Sequence, residues 1–266
     1  MNNRWGEPPL DLTREGPAGS GSCVPLVPHM AQAVPATELQ NPADPKKLNH
    51  RHPARREHGI TRDSLLSVWR DNTCHIISED YSYKTEPYYT ILQHEMDGIP
   101  VQPASADVLD AYVVPICLER AHLAGIPVCD WEISQGYIPL PSILYGLNYF
   151  ATSSDYSVVS NEENAKEVIK HITNKGKYPF CYQKLDDGAE IESCRAIFGK
   201  TAADCRSSAK IAQSVYDLFG IPLVTIVYVK YGTRSFLSSL APTRYSKLTA
   251  DERALLSTYL SPGESP

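Results

Sequence analysis

Residues 74–103 read CHIISEDYSYKTEPYYTILQHEMDGIPVQP, and their pattern decides the fold class. The short run His75, Ile76, Ile77 has the length and composition of a buried strand. A polar turn follows, and then Tyr81, Tyr83, Tyr88 and Tyr89 fall within nine residues. Pro87 sits in the first turn of a helix, where its missing N–H costs nothing. Tyr88, Ile91, Leu92, Glu95 and Met96 continue near helical spacing, and Gly98 supplies a left-handed stop. Ile99, Pro100 and Val101 restart an extended segment. The spacing predicts strand, loop, helix, strand, the unit of an α/β protein. A mixed sheet with flanking helices is the expected architecture.

The same joint recurs further along. Gly98-Ile99-Pro100, Gly125-Ile126-Pro127 and Gly220-Ile221-Pro222 each follow a helical pattern and precede an extended one. Proline is tolerated there because a strand's first residues need no ladder bond. Between the joints, a short helix is expected around Leu65, Leu66, Val68 and Trp69, capped by Thr61. Further helices are expected at 107–112, capped by Ser105, at 113–124 entered through Pro115, and at 161–174. Residues 139–150, PLPSILYGLNYF, place Ile143, Leu144, Leu147 and Phe150 roughly on one helical face. Residues 126–129 read as a strand. Residues 178–185 and 191–198 read as a hairpin through Asp186-Asp187-Gly188. A helix is expected at 201–219. Residues 223–231, LVTIVYVKY, form the strongest strand pattern, with 234–240 as hairpin partner. Thr249 and Glu252 form a capping box for a final helix.

Residues 1–57 differ in composition. Nine of the 21 prolines fall there, Gly and Ser cluster at 16–22, and no apolar period is sustained, so a disordered or loosely attached tail is expected. Its last part, 46–56, carries Lys46, Lys47, Arg51, Arg55 and Arg56, which reads as a solvated linker or as a contact for an anionic partner. The globular part is expected over 58–262. A net charge of −6 argues against a general nucleic-acid binder. No run reaches the ~18 apolar residues of a membrane span, and no secretory signal opens the chain. A cytoplasmic protein with reduced, buried thiols is the expectation.

No C-x-x-C or H-E-x-x-H occurs, so no metal site is expected. Walker, G-x-G-x-x-G and G-x-S-x-G motifs are absent as well, so neither a cofactor nor tight Mg-ATP binding is expected. No cysteine stands out as a nucleophile. The candidate site is the tyrosine loop, which follows a strand and precedes a helix N-terminus, where α/β proteins place ligands. Its expected ligand-contacting residues are Tyr81, Tyr83, Lys84, Thr85, Tyr88 and Tyr89. Phenol rings stack and hydrogen-bond, and Lys84 meets a carboxylate or phosphate. Glu79, Asp80 and Glu86 meet an amine. In an extended loop Tyr81 and Tyr83 share one side. The segment Tyr145 to Phe150 is the second candidate.

The run Tyr81-x-Tyr83-x-Thr85-x-x-Tyr88-Tyr89, with the following helix and Pro100-Val101-x-Pro103, resembles the domain found upstream of RimK-like ATP-grasp ligases. Phe219-Gly220-Ile221-Pro222, the strand and hairpin after it, Pro242 and the Leu248-x-x-x-Glu252 helix are similar to that domain's closing elements. Thr85 and Pro87 replace a serine and a glycine of the family pattern. The resemblance implies an amino-acid or peptide ligand and a separate ATP-grasp ligase as partner. Because the sequence stops at Pro266, it also implies a non-catalytic accessory or substrate-binding domain lacking the ATP-grasp catalytic module. The alternatives are an enzyme acting on an amino-acid-like substrate through the tyrosine loop, and a structural or regulatory α/β protein.

Overall fold

Leu66–Arg70 (β1) and Thr73–Ile77 (β2) pair antiparallel in the computed structural model, which describes residues 65–202 and 208–260. The expected tail, 1–57, and the Thr61 cap lie outside the described residues. The helix expected around Leu66 to Trp69 is instead a strand. Leu66, Val68 and Arg70 are half-buried while Ser67 and Trp69 are exposed, a period of two. Asp71 and Asn72 adopt φ of 46° and 63°, the left-handed pair that a tight hairpin demands and that Asn and Asp tolerate best.

The deciding stretch folds as its spacing predicts. β2 leads through the tyrosine loop into Glu86–Met96 (α1), with Pro87 in the first turn, and then into Val101–Gln102 (β3). β3 lies parallel to β2, with Cys74 opposite Val101. Gly98, Gly125 and Gly220 all have positive φ, so each joint is a left-handed helix stop. At Gly220 the requirement is doubly strict, because an added Cβ would lie 2.5 Å from Gln102 Nε2.

Ser105–Tyr112 (α2) and Val114–Leu123 (α3) follow. Ser105 does not cap α2. Its hydroxyl donates to Glu95 on α1 at 2.6 Å, which ties the two helices together. Residues 126–129 supply only one bridge, Val128 to Leu237. The second sheet is built from Trp131–Ser134 (β4), Ser142–Gly146 (β5), Tyr156–Val159 (β6) and Phe180–Lys184 (β7), in the order β4-β7-β5-β6. Residues 142–146 are thus a strand and not part of a helix. Two neighbouring strands claim the backbone of the run, and both faces are buried, which erases the alternation a strand usually shows. Glu162–Ile172 (α4) runs between β6 and β7, its first turn capped by Asn161, which accepts the Asn164 amide at 2.9 Å.

Glu190–Ile197 (β8), Lys200–Thr201 (β9), Leu223–Tyr231 (β10) and Arg234–Ala241 (β11) form the third sheet, in the order β11-β10-β8-β9. The expected hairpin between 178–185 and 191–198 does not form, because β7 and β8 belong to different sheets. The eight-pair ladder from Leu223–Ile197 to Lys230–Glu190 outcompetes a local pairing. Ala209–Phe219 (α5) precedes β10, starting later than the expected 201, and Ala250–Leu260 (α6) follows β11. The capping box is present: Glu252 accepts the Thr249 amide at 2.7 Å, and Thr249 Oγ1 accepts the Glu252 amide at 3.2 Å.

One apolar cluster draws on all three sheets, through Ile76, Ile143 and Ile226 among others. The second and third sheets are also joined by buried polar bonds. Gln183 and Ser238 exchange two hydrogen bonds, at 2.8 and 2.6 Å, and the Tyr145 hydroxyl lies 2.8 Å from Ser238 Oγ. All three side chains are buried, so each needs these partners.

Candidate functional site

The turn after β2 is set by a core tyrosine. Tyr81 is fully buried; its hydroxyl donates to the Ile76 carbonyl at 3.2 Å and accepts the Ser78 amide at 2.9 Å. Asp80 accepts the Ser82 amide at 2.8 Å, and the Thr85 hydroxyl donates back to the Ser82 carbonyl at 2.7 Å. The loop is therefore a chain of turns, which side-chain oxygens of Ser, Thr and Asp favour. It is not extended, so Tyr81 and Tyr83 do not share a side: Tyr81 points into the core and Tyr83 is exposed. Thr85, occupied with the loop, makes no side-chain cap on α1.

A second segment braces this turn from the far end of the chain. The Glu79 carbonyl accepts the Thr243 amide at 3.0 Å, and its carboxylate accepts the Tyr245 amide at 2.6 Å. Glu79 is buried, so its polar atoms need these hydrogen bonds. Burial, and then the adjacent Glu79 charge, hold the Tyr245 hydroxyl well above its ordinary range. Thr243 continues the brace with a 2.8 Å hydroxyl pair to Thr225 on β10.

These elements enclose a cleft of about 720 Å³. Asp80 and Glu86 reach it from the tyrosine loop and the start of α1, and Asp155 from the loop between β5 and β6. Arg195 reaches it from β8, and Arg244 and Lys247 from the segment after β11. Arg195 stands 3.4 Å from both carboxylate oxygens of Glu252, which also caps α6. Arg244 and Lys247 form no ion pair with any described residue, and neither does Glu86. Carboxylates thus come from one pair of loops and cations from another pair of elements. A second hollow, of about 890 Å³, lies along α4 beside residues 136–140, lined by apolar side chains and the lysines Lys166, Lys170 and Lys175. Its one carboxylate, Glu162, is already paired with Lys166 at 3.8 Å.

The loop between β5 and β6 is held by Asn148, whose side chain accepts the Phe150 and Ala151 amides at 2.8 and 2.9 Å and donates to the Ile172 carbonyl at 2.6 Å. Tyr149 and Phe150 are exposed there, and Tyr149 meets Tyr83 of the tyrosine loop. The Lys84 ammonium sits 3.7 Å from the Tyr149 ring centroid and 5.4 Å from that of Tyr83. The two stretches singled out in the sequence therefore meet in space.

Of the six expected contact residues, Thr85 lines the cleft. Tyr83 and Lys84 do not line it; they directly precede Thr85 in sequence and meet Tyr149. Tyr89 is exposed, and its ring packs edge-on against Tyr88, which is half-buried against the core. Tyr81 is a structural group. The expectation missed Arg195, Arg244, Lys247 and Asp155. Nothing local marks them, because they converge only through the register that sets Thr225 opposite Arg195 and through the Thr243–Glu79 bond.

No group of three or more metal-ligating side chains occurs among the described residues. Cys74, Cys117, Cys129 and Cys181 are free and buried, and burial pushes the thiols of Cys117, Cys129 and Cys181 up to about 12. At neutral pH these three are not thiolates, the form a nucleophile needs. No helix among the described residues is long and apolar enough to cross a membrane.

No family model matches the sequence, and no curated protein does. Among solved structures, the chain is similar to a RimK-domain ATP-grasp protein from Sphaerobacter thermophilus, with 15% identity, a TM-score of 0.47, and coverage of 66% of this chain and 72% of that one. It is similar to the D-alanine–D-alanine ligase of Helicobacter pylori at 13% identity and a TM-score of 0.47, covering 64% and 67%. The corresponding enzyme of Bacillus anthracis aligns at 11% identity and a TM-score of 0.48, covering 63% and 70%. These neighbours are ATP-grasp ligases. The expectation of an accessory domain lacking the ATP-grasp module is corrected on this point, since the ligases align over most of the chain.

Proposed function

We propose that the cleft binds a small ligand carrying both an anionic and a cationic group, of the amino-acid or peptide kind. The observation that carries this reading is the pairing of unengaged cations, Arg244 and Lys247, with the unengaged carboxylate of Glu86 in one polar cleft. A carboxylate, or another anion of similar reach, bonds to the guanidinium and ammonium groups, and charge-assisted bonds of this type are the strong ones. An ammonium group bonds to Glu86 and Asp155. A volume of about 720 Å³ lies within the range of small-ligand sites and is roomy enough for more than one amino-acid residue.

Calorimetry on the full chain tests the reading, with L-alanine, L-alanyl-L-alanine, acetate, ethylamine and their equimolar mixture. The expected result is that a zwitterion binds and the separate ions do not, since linking the two charges makes the second contact intramolecular. Arg244→Gln and Glu86→Gln should each weaken zwitterion binding about tenfold, the value of one charge-assisted bond. Equal binding by the separate ions, or affinity unchanged in both variants, would overturn the assignment.

A further inference from the structure

Both loops that wall the cleft also carry exposed rings. Tyr83 and Lys84 immediately precede Thr85 and Glu86, which line the cleft, and Tyr149 and Phe150 lie two or three residues before Thr152, which lines it too. The exposed rings and the cleft-lining residues are therefore near neighbours in sequence on both loops. Phe150 is 81% exposed, Tyr149 59% and Tyr83 41%. Large rings in this number are rarely left to water on a short stretch of loop, because burying one removes substantial apolar surface from solvent.

The rings are not scattered. Tyr149 and Phe150 pack edge to face with centroids 5.4 Å apart, and Tyr83 meets Tyr149 at 6.3 Å. Lys84 fixes the group: its ammonium lies on the Tyr149 face and donates to the Tyr149 carbonyl at 2.8 Å. Asn148 holds the backbone beneath. A preset surface of ring faces and edges binds another ring without first ordering itself.

We infer that Tyr83, Tyr149 and Phe150 form a side-chain subsite that selects, among ligands of the cleft, those bearing an aromatic group. The inference rests on the cleft reading given above. The ligand's charged groups lie with Arg244, Lys247 and Glu86, and its ring lies outward, against Tyr149 and Phe150. Lys84 serves as a positioning residue that holds Tyr149 in place and covers one face of its ring.

The test compares L-alanyl-L-alanine with L-alanyl-L-phenylalanine by calorimetry on the full chain, unaltered and as Phe150→Ala and Tyr149→Ala. The expected result is an aromatic preference of about tenfold in the unaltered chain, as burial of one ring predicts. Phe150→Ala should abolish that preference and leave L-alanyl-L-alanine binding unchanged. Because Phe150 is largely exposed, its loss should not unfold the protein, and a melting curve checks this. Equal affinity for the two dipeptides in the unaltered chain overturns the subsite alone. A preference that survives in both variants does the same. Failure of both dipeptides to bind overturns the cleft reading and this one with it.

Discussion

Lys84 and Tyr149, 65 positions apart in sequence, are joined by two contacts at once: the ammonium lies 3.7 Å from the ring centroid and 2.8 Å from the same residue's carbonyl oxygen. The contact clamps the tyrosine loop to the β5–β6 loop, both of which supply residues to the cleft. It is exposed, so it contributes to position more than to stability. Lys84→Met should change stability by no more than about 1 kcal/mol, the range of an exposed cation–π contact. Chemical denaturation of the variant gives the number; a loss of several kcal/mol would show the clamp to be a structural tie.

Tyr81 and Tyr83 should separate cleanly under the same substitution. Tyr81→Phe removes the partner of the Ser78 amide and the Ile76 carbonyl, both buried, and should cost about 1–3 kcal/mol. Tyr83→Phe alters an exposed hydroxyl and should leave stability nearly unchanged. Paired unfolding curves decide the matter, and equal losses in the two variants would contradict the observed burial.

Glu252 acts in two places: it caps α6 and faces Arg195 in the cleft. Glu252→Ala should lower stability by about 1–2 kcal/mol through the lost cap. It also leaves Arg195 without its carboxylate, so binding of an anionic ligand should strengthen even as the fold weakens. Measuring melting temperature and dipeptide affinity on one preparation shows whether the two effects run in opposite directions.

The His75 imidazole is held below its ordinary range by burial and by the nearby Arg70 guanidinium, with Asp71 acting the other way. An unfolded histidine takes up a proton near pH 6.5, while the folded one resists it to lower pH. As pH falls through about 6.5 only the unfolded chain gains that proton, so stability falls; above it neither state is protonated and the group contributes nothing. Melting temperatures from about pH 7.5 to about pH 5.5 should decline less in His75→Leu than in the unaltered chain. Parallel declines would remove His75 from the account.

The parts of this fold that could be read in the sequence are those with local causes. The βαβ unit from β2 to β3, the glycine stops, the β10–β11 hairpin and the Thr249–Glu252 capping box all follow from short-range stereochemistry. Several elements could not be read this way, β1 among them, whose apolar residues also fit one helical face. Residues 142–146 lost their strand signature to burial on both faces, and the turn at Asp186 to Gly188 promised a hairpin whose second strand found a longer partner in β10. For the cleft, the loop carrying Thr85 and the neighbouring carboxylates was legible as a strand-end loop. Its cations were not, because only the antiparallel register and the Glu79 brace bring Arg195 and Arg244 to it.

That brace also sets a clock. Glu79 and Tyr245 are 166 positions apart, so a chain growing on the ribosome presents the tyrosine loop long before its support exists. At ordinary rates of synthesis the interval is on the order of ten to thirty seconds. Through it, Glu79 keeps its water and, until the end, the cleft lacks Arg244 and Lys247. Ligand can therefore assist folding only after the last strand is made, and a nascent chain arrested anywhere before residue 243 carries the tyrosine loop without a binding site.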